Sequence, residues 1–160
     1  MKFFEDVEVG ETTRFGRYEV TREEIIEYAR QFDPQPFHLD EEAARASMFG
    51  GLIASGWHTG AMFIRMVCDG MVPTAATSGS MGFDDLKWLK PVRPGDVLSV
   101  DSVVREKIES RSQPDRGIVK IESRVSNQRG EVVMSLVSLV IYLRRPAAGR
   151  LDCGLSVATP

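Results

Sequence analysis

The sequence predicts an α+β domain in which a curved antiparallel sheet wraps around one long central helix. Two observations carry this. Residues Ser55 to Met71, SGWHTGAMFIRMVCDGM, are apolar on most sides and interrupted mainly by His58, Arg65 and Asp69, the pattern of a largely buried helix about 25 Å long at about 1.5 Å per residue. After it the hydrophobic period becomes two, the signature of half-buried strands, and a buried helix followed by a run of strands is an α+β layout. With 160 residues, 42% of them hydrophobic, the chain can bury one core but is too short to divide into two. A single domain over residues 1–145 is expected, with residues 146–160 forming a flexible tail.

Turn residues and alternating apolar positions from Thr12 to Val20 predict an edge strand or extended arm. Thr21-Arg22-Glu23-Glu24 has the spacing of a capping box, so a helix is expected from Arg22 to Gln31 with Ile25, Ile26, Ala29 and Phe32 toward the core. Pro34 and Pro36 remove donors and push their predecessors toward extended conformations, which predicts a stiff loop from Asp33 to His38. Asp40 is placed as the N-cap of a short helix through Ala43, Ala44 and Ala46 that ends near Met48. Strands are expected at Ser80 to Lys90, Val97 to Ser110, Gly117 to Asn127 and Glu131 to Leu143, with a hairpin at Gln128-Arg129-Gly130.

The formal charge of −3 and the scatter of the 20 basic residues give no electrostatic footprint for a nucleic acid. The acidic opening MKFFEDVEVGE contains no apolar stretch of signal-peptide length, and nothing approaches the roughly 20 apolar residues of a membrane span. A cytoplasmic protein with no membrane partner is expected. Cys68 reads as a small buried residue and Cys153 falls in the tail, so neither a disulfide framework nor a thiolate metal site is expected. A sheet curled over one helix leaves an open edge and a helix flank, which a second copy would cover. A homodimer or dimer of dimers is expected.

Asp33 and His38 stand together on the proline-stiffened segment just ahead of the buried helix. Restricted backbone freedom would hold them together at little ordering cost. An imidazole titrating near neutrality beside a carboxylate is suited to general acid–base chemistry on a water. By spacing alone, a turn aspartate and a packing histidine are the simpler account of the pair.

The surrounding residues decide between these readings. Phe32-Asp33-Pro34-Gln35-Pro36-Phe37-His38-Leu39-Asp40 resembles the hydratase motif of the MaoC-like family, in which Asp is followed by any residue, usually Asn, Pro, any residue and His. FEDVEVGE, the Ser55-Gly56 step into the apolar helix, and LKWLKPVRPGDVL from Leu86 to Leu98 resemble further family landmarks in the expected order. The resemblance implies a hot-dog fold and R-specific hydration of a 2-enoyl-CoA, or the reverse dehydration, with Asp33 and His38 as the catalytic pair. It implies no cofactor apart from the CoA of the substrate, and a place in fatty acid metabolism. It further implies that the Gly56 N–H receives the thioester carbonyl. That assignment agrees with the unsatisfied donors and positive dipole end at a helix N-terminus and with the close approach that glycine permits. Gln35 departs from the usual Asn, Ser55 stands where many relatives have His, and Ile64 where some short-chain relatives have a pocket Ser.

His58, two residues past Gly56, is either a site-lining or a structural histidine. Arg65 and Asp69 lie one helical turn apart and form either a local ion pair or, through Arg65, a binding site for a substrate carboxylate. Lys87, Lys90 and Arg93 are either CoA phosphate contacts or solvated charges. With two histidines and no clustered cysteines, no metal site is expected. A hot-dog thioesterase attacking the thioester carbonyl, and a non-catalytic acyl-CoA binding subunit, are the alternative functions.

Overall fold

Three irregularities in one edge strand curl the sheet around its helix. In the computed structural model, which describes residues 1–146, a 3₁₀ turn at Phe4–Asp6 precedes β1 (Thr12–Glu19), α1 (Arg22–Phe32), α2 (Pro36–Leu39), α3 (Glu41–Ala46) and α4 (Gly56–Gly70). The strands β2 (Thr77–Trp88), β3 (Val97–Glu109), β4 (Arg116–Ser126) and β5 (Val132–Leu143) follow. They form one antiparallel sheet in the order β1-β3-β4-β5-β2. The register of β2 against β5 breaks between Thr77 and Ser80, Ser80 and Phe83, and Asp84 and Lys87. Each break holds one residue of positive φ: Gly79, Gly82 and Asp85. Such bulges bend a strand and increase its twist, so β2 folds over the flank of α4.

The inner face alternates as the period-two pattern requires. Leu98 and Val100 of β3, Val125 of β4, and Met134 and Leu136 of β5 pack with Met62, Phe63 and Met66 of α4 in one core cluster. Burying side chains of this kind contributes about 1.5–3 kcal/mol each before conformational entropy is counted. β1 crosses α4 closely at Gly16, where φ is +80° and an added Cβ would come within 2.6 Å of the Met66 sulfur. A second cluster, including Phe4, Val104, Val119, Ile121 and Tyr142, closes the other end of the sheet beneath the N-terminal turn.

The capping box opens α1 as expected. Glu24 N–H donates to Thr21 Oγ1 at 3.2 Å and Thr21 N–H to a Glu24 carboxylate oxygen at 3.4 Å. Asp40 caps α3 by accepting the Ala43 N–H at 2.8 Å, although that helix stops at Ala46, two residues before Met48. Three expectations are corrected. The segment expected to be a loop through His38 instead contains the one-turn helix α2, because Pro36 stands at N1, where the missing N–H costs nothing and the fixed φ suits a helix. Phe32 is 69% exposed; it is the last residue of α1 and its ring lies tilted against Tyr28, with centroids 5.0 Å apart. Cys68 is exposed rather than buried, on the flank of α4 that also exposes Trp57 and Ile64. The tail expected beyond Pro146, with Cys153, lies outside the described residues.

Candidate active site

Asp33, His38, Ser55 and Gly56 come from three different elements and line one cleft of about 420 Å³, walled by Phe37, Phe49, Trp57 and Trp88. Asp33 is the C-cap of α1, its N–H donating to the Ala29 carbonyl at 3.0 Å. A carboxylate there meets the negative end of the α1 dipole. Hydrogen bonds offset this: Gln35 Nε2 donates to Oδ1 at 2.8 Å and Ser55 Oγ to Oδ2 at 2.7 Å. The Ser55 hydroxyl, then the Gln35 amide, and then the nearby His38 hold the Asp33 carboxyl below its ordinary pKa, against an opposing effect of burial.

His38 is 4% exposed, and its tautomer follows from its partners. Nδ1 lies 2.8 Å from the Ile53 carbonyl oxygen, a group that only accepts, so Nδ1 carries the proton. Nε2 then faces Asp33 Oδ2 at 3.4 Å. In the neutral ring both of those atoms present lone pairs, and the gap suits a donor reaching both at once, such as one water molecule. A water so held would lie within hydrogen-bond reach of both groups, as general acid–base chemistry needs.

Gly56 is the first residue of α4, after the N-cap Ser55, whose hydroxyl accepts the Trp57 N–H at 3.3 Å. The Gly56 N–H belongs to the first turn, which has no partners within the helix. Trp88 fixes this terminus from the sheet side by donating its indole N–H to the Gly56 carbonyl at 2.9 Å. A Cβ at position 56 would lie 2.5 Å from the Trp88 ring. Glycine is therefore required here by the indole, a reason additional to the approach of a ligand.

The other expected residues lie elsewhere. His58 is buried behind the cleft, stacked on Tyr28 with centroids 4.5 Å apart and planes 6° from parallel. Burial pushes its imidazole pKa down, partly opposed by Glu24, and Nδ1 is buried without a hydrogen-bond partner among the described residues. Arg65 is exposed and pairs with Asp69 at 2.8 Å, one turn along α4, outside the residues lining the cleft. Lys90 lines the cleft, but its ammonium lies 2.8 Å from Glu131. A separate apolar cavity of about 180 Å³, between Phe63, Val67 and Cys68 of α4 and Ser102, Ser123 and Ser138 of the sheet, contains no acid–base pair. The cleft, which holds Asp33 and His38, is therefore the candidate site. Sequence reasoning missed two members of the site: the Ile53 carbonyl, which carries no side-chain signal, and Trp88, which lies within the LKWLKP landmark.

Comparison with known proteins agrees with this fold. The MaoC-like domain model matches residues 5–127. A MaoC-like dehydratase from Rhodospirillum rubrum superposes with a TM-score of 0.84 at 48% identity, covering 90% of this chain and 98% of that one. The unliganded R-hydratase PhaJ1 of Pseudomonas aeruginosa superposes with a TM-score of 0.72 at 26% identity, over 89% of this chain and 86% of that one. Mesaconyl-CoA hydratase of Cereibacter sphaeroides is 31% identical over 151 residues, 92% of this chain but 43% of that protein's length. The fold, the ordered landmarks and these similarities together place the chain in the MaoC-like domain family, within the hot-dog superfamily.

Proposed function

We propose that the chain is an acyl-CoA hydratase or dehydratase that reversibly adds water to a 2-enoyl-CoA to give an (R)-3-hydroxyacyl-CoA. The observation that carries this is the 3.4 Å approach of His38 Nε2 to Asp33 Oδ2 in one cleft with the Gly56 helix terminus. The relatives named as an R-hydratase and a mesaconyl-CoA hydratase support the reaction class.

The thioester carbonyl accepts the Gly56 N–H, and a water donates to Asp33 and His38. As the water oxygen bonds to C3, the acid–base pair takes one of its protons and the C2–C3 π electrons move toward the carbonyl oxygen. The donor and the positive helix end stabilise that charge. The pair then returns a proton to C2, so water has been added and the site is restored. CoA belongs to the substrate, and no step calls for another cofactor or a metal.

The same reading includes a homodimer in the cytoplasm. The edge of β2 is unpaired, and Trp57, Ile64, Met81 and Phe83 are exposed, features of the kind that pairing of two copies removes. The activity is tested by following enoyl absorbance and free thiol together. Loss of enoyl absorbance without thiol release supports hydration, whereas thiol release in proportion to turnover would make the chain a thioesterase.

A further inference from the structure

The two oxygens of Asp33 have separate partners, and neither partner belongs to the acid–base pair itself. Oδ1 receives the Gln35 amide at 2.8 Å, and Oδ2 receives the Ser55 hydroxyl at 2.7 Å while facing His38. Ser55 is fully buried, and its oxygen also accepts the Trp57 N–H at 3.3 Å. Capping α4 uses only the acceptor side of that hydroxyl. Its single proton is left over, and it goes to Asp33. The Gln35 side chain is exposed and packs into no core, and its amide hydrogen bond is to Asp33. Both converge on the same carboxylate.

We infer that Ser55 and Gln35 are positioning residues that clamp the Asp33 carboxylate in one orientation, with Ser55 joining it to the helix terminus that carries the Gly56 N–H. The inference rests on the proposed role of Asp33 and deepens it. A carboxylate bound on one oxygen only could rotate out of line with His38. Bound on both, it keeps Oδ2 toward His38 Nε2 and toward the water they share. Hydrogen bonds to an ionised acceptor are short and strong, and they favour the charged form that accepts a proton from water. The other groups around Asp33 are His38 of α2, the Tyr28 phenol of α1, which the carboxylate helps to push up in pKa, and Lys90 across the cleft, held by Glu131. Among the described residues, Ser55 and Gln35 are the two that hydrogen-bond the Asp33 carboxylate.

The test is a pH titration of the Asp33 carboxyl by isotope-edited NMR in the unmodified protein, Ser55→Ala and Gln35→Leu, paired with pH profiles of kcat/KM on crotonyl-CoA. Both variants should raise the Asp33 midpoint, Ser55→Ala more. The acid limb of the activity profile should move to higher pH, with kcat/KM falling about 10–100-fold, mostly in kcat. Ser55→Thr, which keeps the hydroxyl, should restore the limb. An unchanged midpoint in both folded variants would overturn the clamp, as would a uniform loss of rate with the limb unmoved. Should Ser55→Ala fail to fold, Gln35→Leu at its exposed position decides the question by the same criteria. If the unmodified protein hydrates none of the enoyl-CoAs supplied, the proposed function fails, and the NMR midpoints still decide whether the clamp exists.

Discussion

Replacing Gly56 by Ala probes the carbonyl-binding role at a position where the geometry sets the magnitude. The new Cβ would stand 2.5 Å from Trp88 Cε2, about 0.9 Å short of the 3.4 Å at which ordinary contact begins. The indole cannot retreat freely, because its N–H is held by the Gly56 carbonyl at 2.9 Å. Either Trp88 gives up that bond or the first turn of α4 shifts by about 1 Å, and a displacement of that size costs on the order of 10²-fold in rate. Losing the carbonyl donor outright costs about 10²–10³-fold, so kcat/KM on crotonyl-CoA is expected to fall within that range. Overpacking destabilises by about 1–3 kcal/mol, and the better helix propensity of alanine returns up to about 1 kcal/mol. A net loss of about 0–3 kcal/mol lowers Tm by no more than about 12 °C in a domain of this size. Initial rates measured well below the variant's own melting transition separate the two effects. Trp88→Leu added to Gly56→Ala should recover stability by opening the space. A folded Gly56→Ala protein with wild-type kcat/KM would refute the assignment of the Gly56 N–H.

Burial lowers the pKa of His58, so its folded value lies below the unfolded value near 6.5. The stability it contributes is present above the unfolded pKa. It is lost as pH falls from there through the folded pKa, because the unfolded chain takes up the proton first. His58→Phe, which keeps a ring against Tyr28, should therefore flatten the fall of Tm on acidification below about pH 6.5; an unchanged slope would assign the acid sensitivity to other groups. Sedimentation at micromolar concentration should give a dimer, and Phe83→Lys, on the exposed flank of β2, should shift it toward monomer. A wild-type monomer would contradict pairing through that edge.

Much of the fold is legible because it rests on local rules. The Thr21–Glu24 capping box, the Asp40 cap and the alternation in β3, β4 and β5 each reflect a constraint within a few residues of sequence, and the structure contains all of them. The strand β2 was legible only in outline. Its positive φ residues at 79, 82 and 85 break the period that marks a strand, and their spacing becomes meaningful once β5 lies beside them. Phe32 and Cys68 were misplaced for a related reason: apolar character does not reveal which side of a helix the sheet will cover. In the site, spacing alone left Asp33 and His38 open to turn and packing roles, and the resemblance of the surrounding motif singled them out; the His38 tautomer depends on the Ile53 carbonyl 15 residues away in sequence. Trp88 meets Gly56 across 32 residues, a contact that only the completed sheet creates. His58 and Arg65 shared the helix of Gly56 but not its direction; one turned to Tyr28 and the other to Asp69.

The central claim is that Asp33 and His38 act as one acid–base unit on an enoyl thioester. The most direct measurement is the hydration rate of crotonyl-CoA and longer enoyl-CoAs by Asp33→Asn, His38→Gln and the double variant, each verified as folded by circular dichroism. Asp33→Asn keeps the shape and removes the base, while His38→Gln removes the imidazole. Each single variant should lose on the order of 10²–10⁴-fold in rate, and the double variant little more than the worse single one, because residues acting as a unit are not additive. A folded single variant that hydrates these substrates at the wild-type rate would contradict the account.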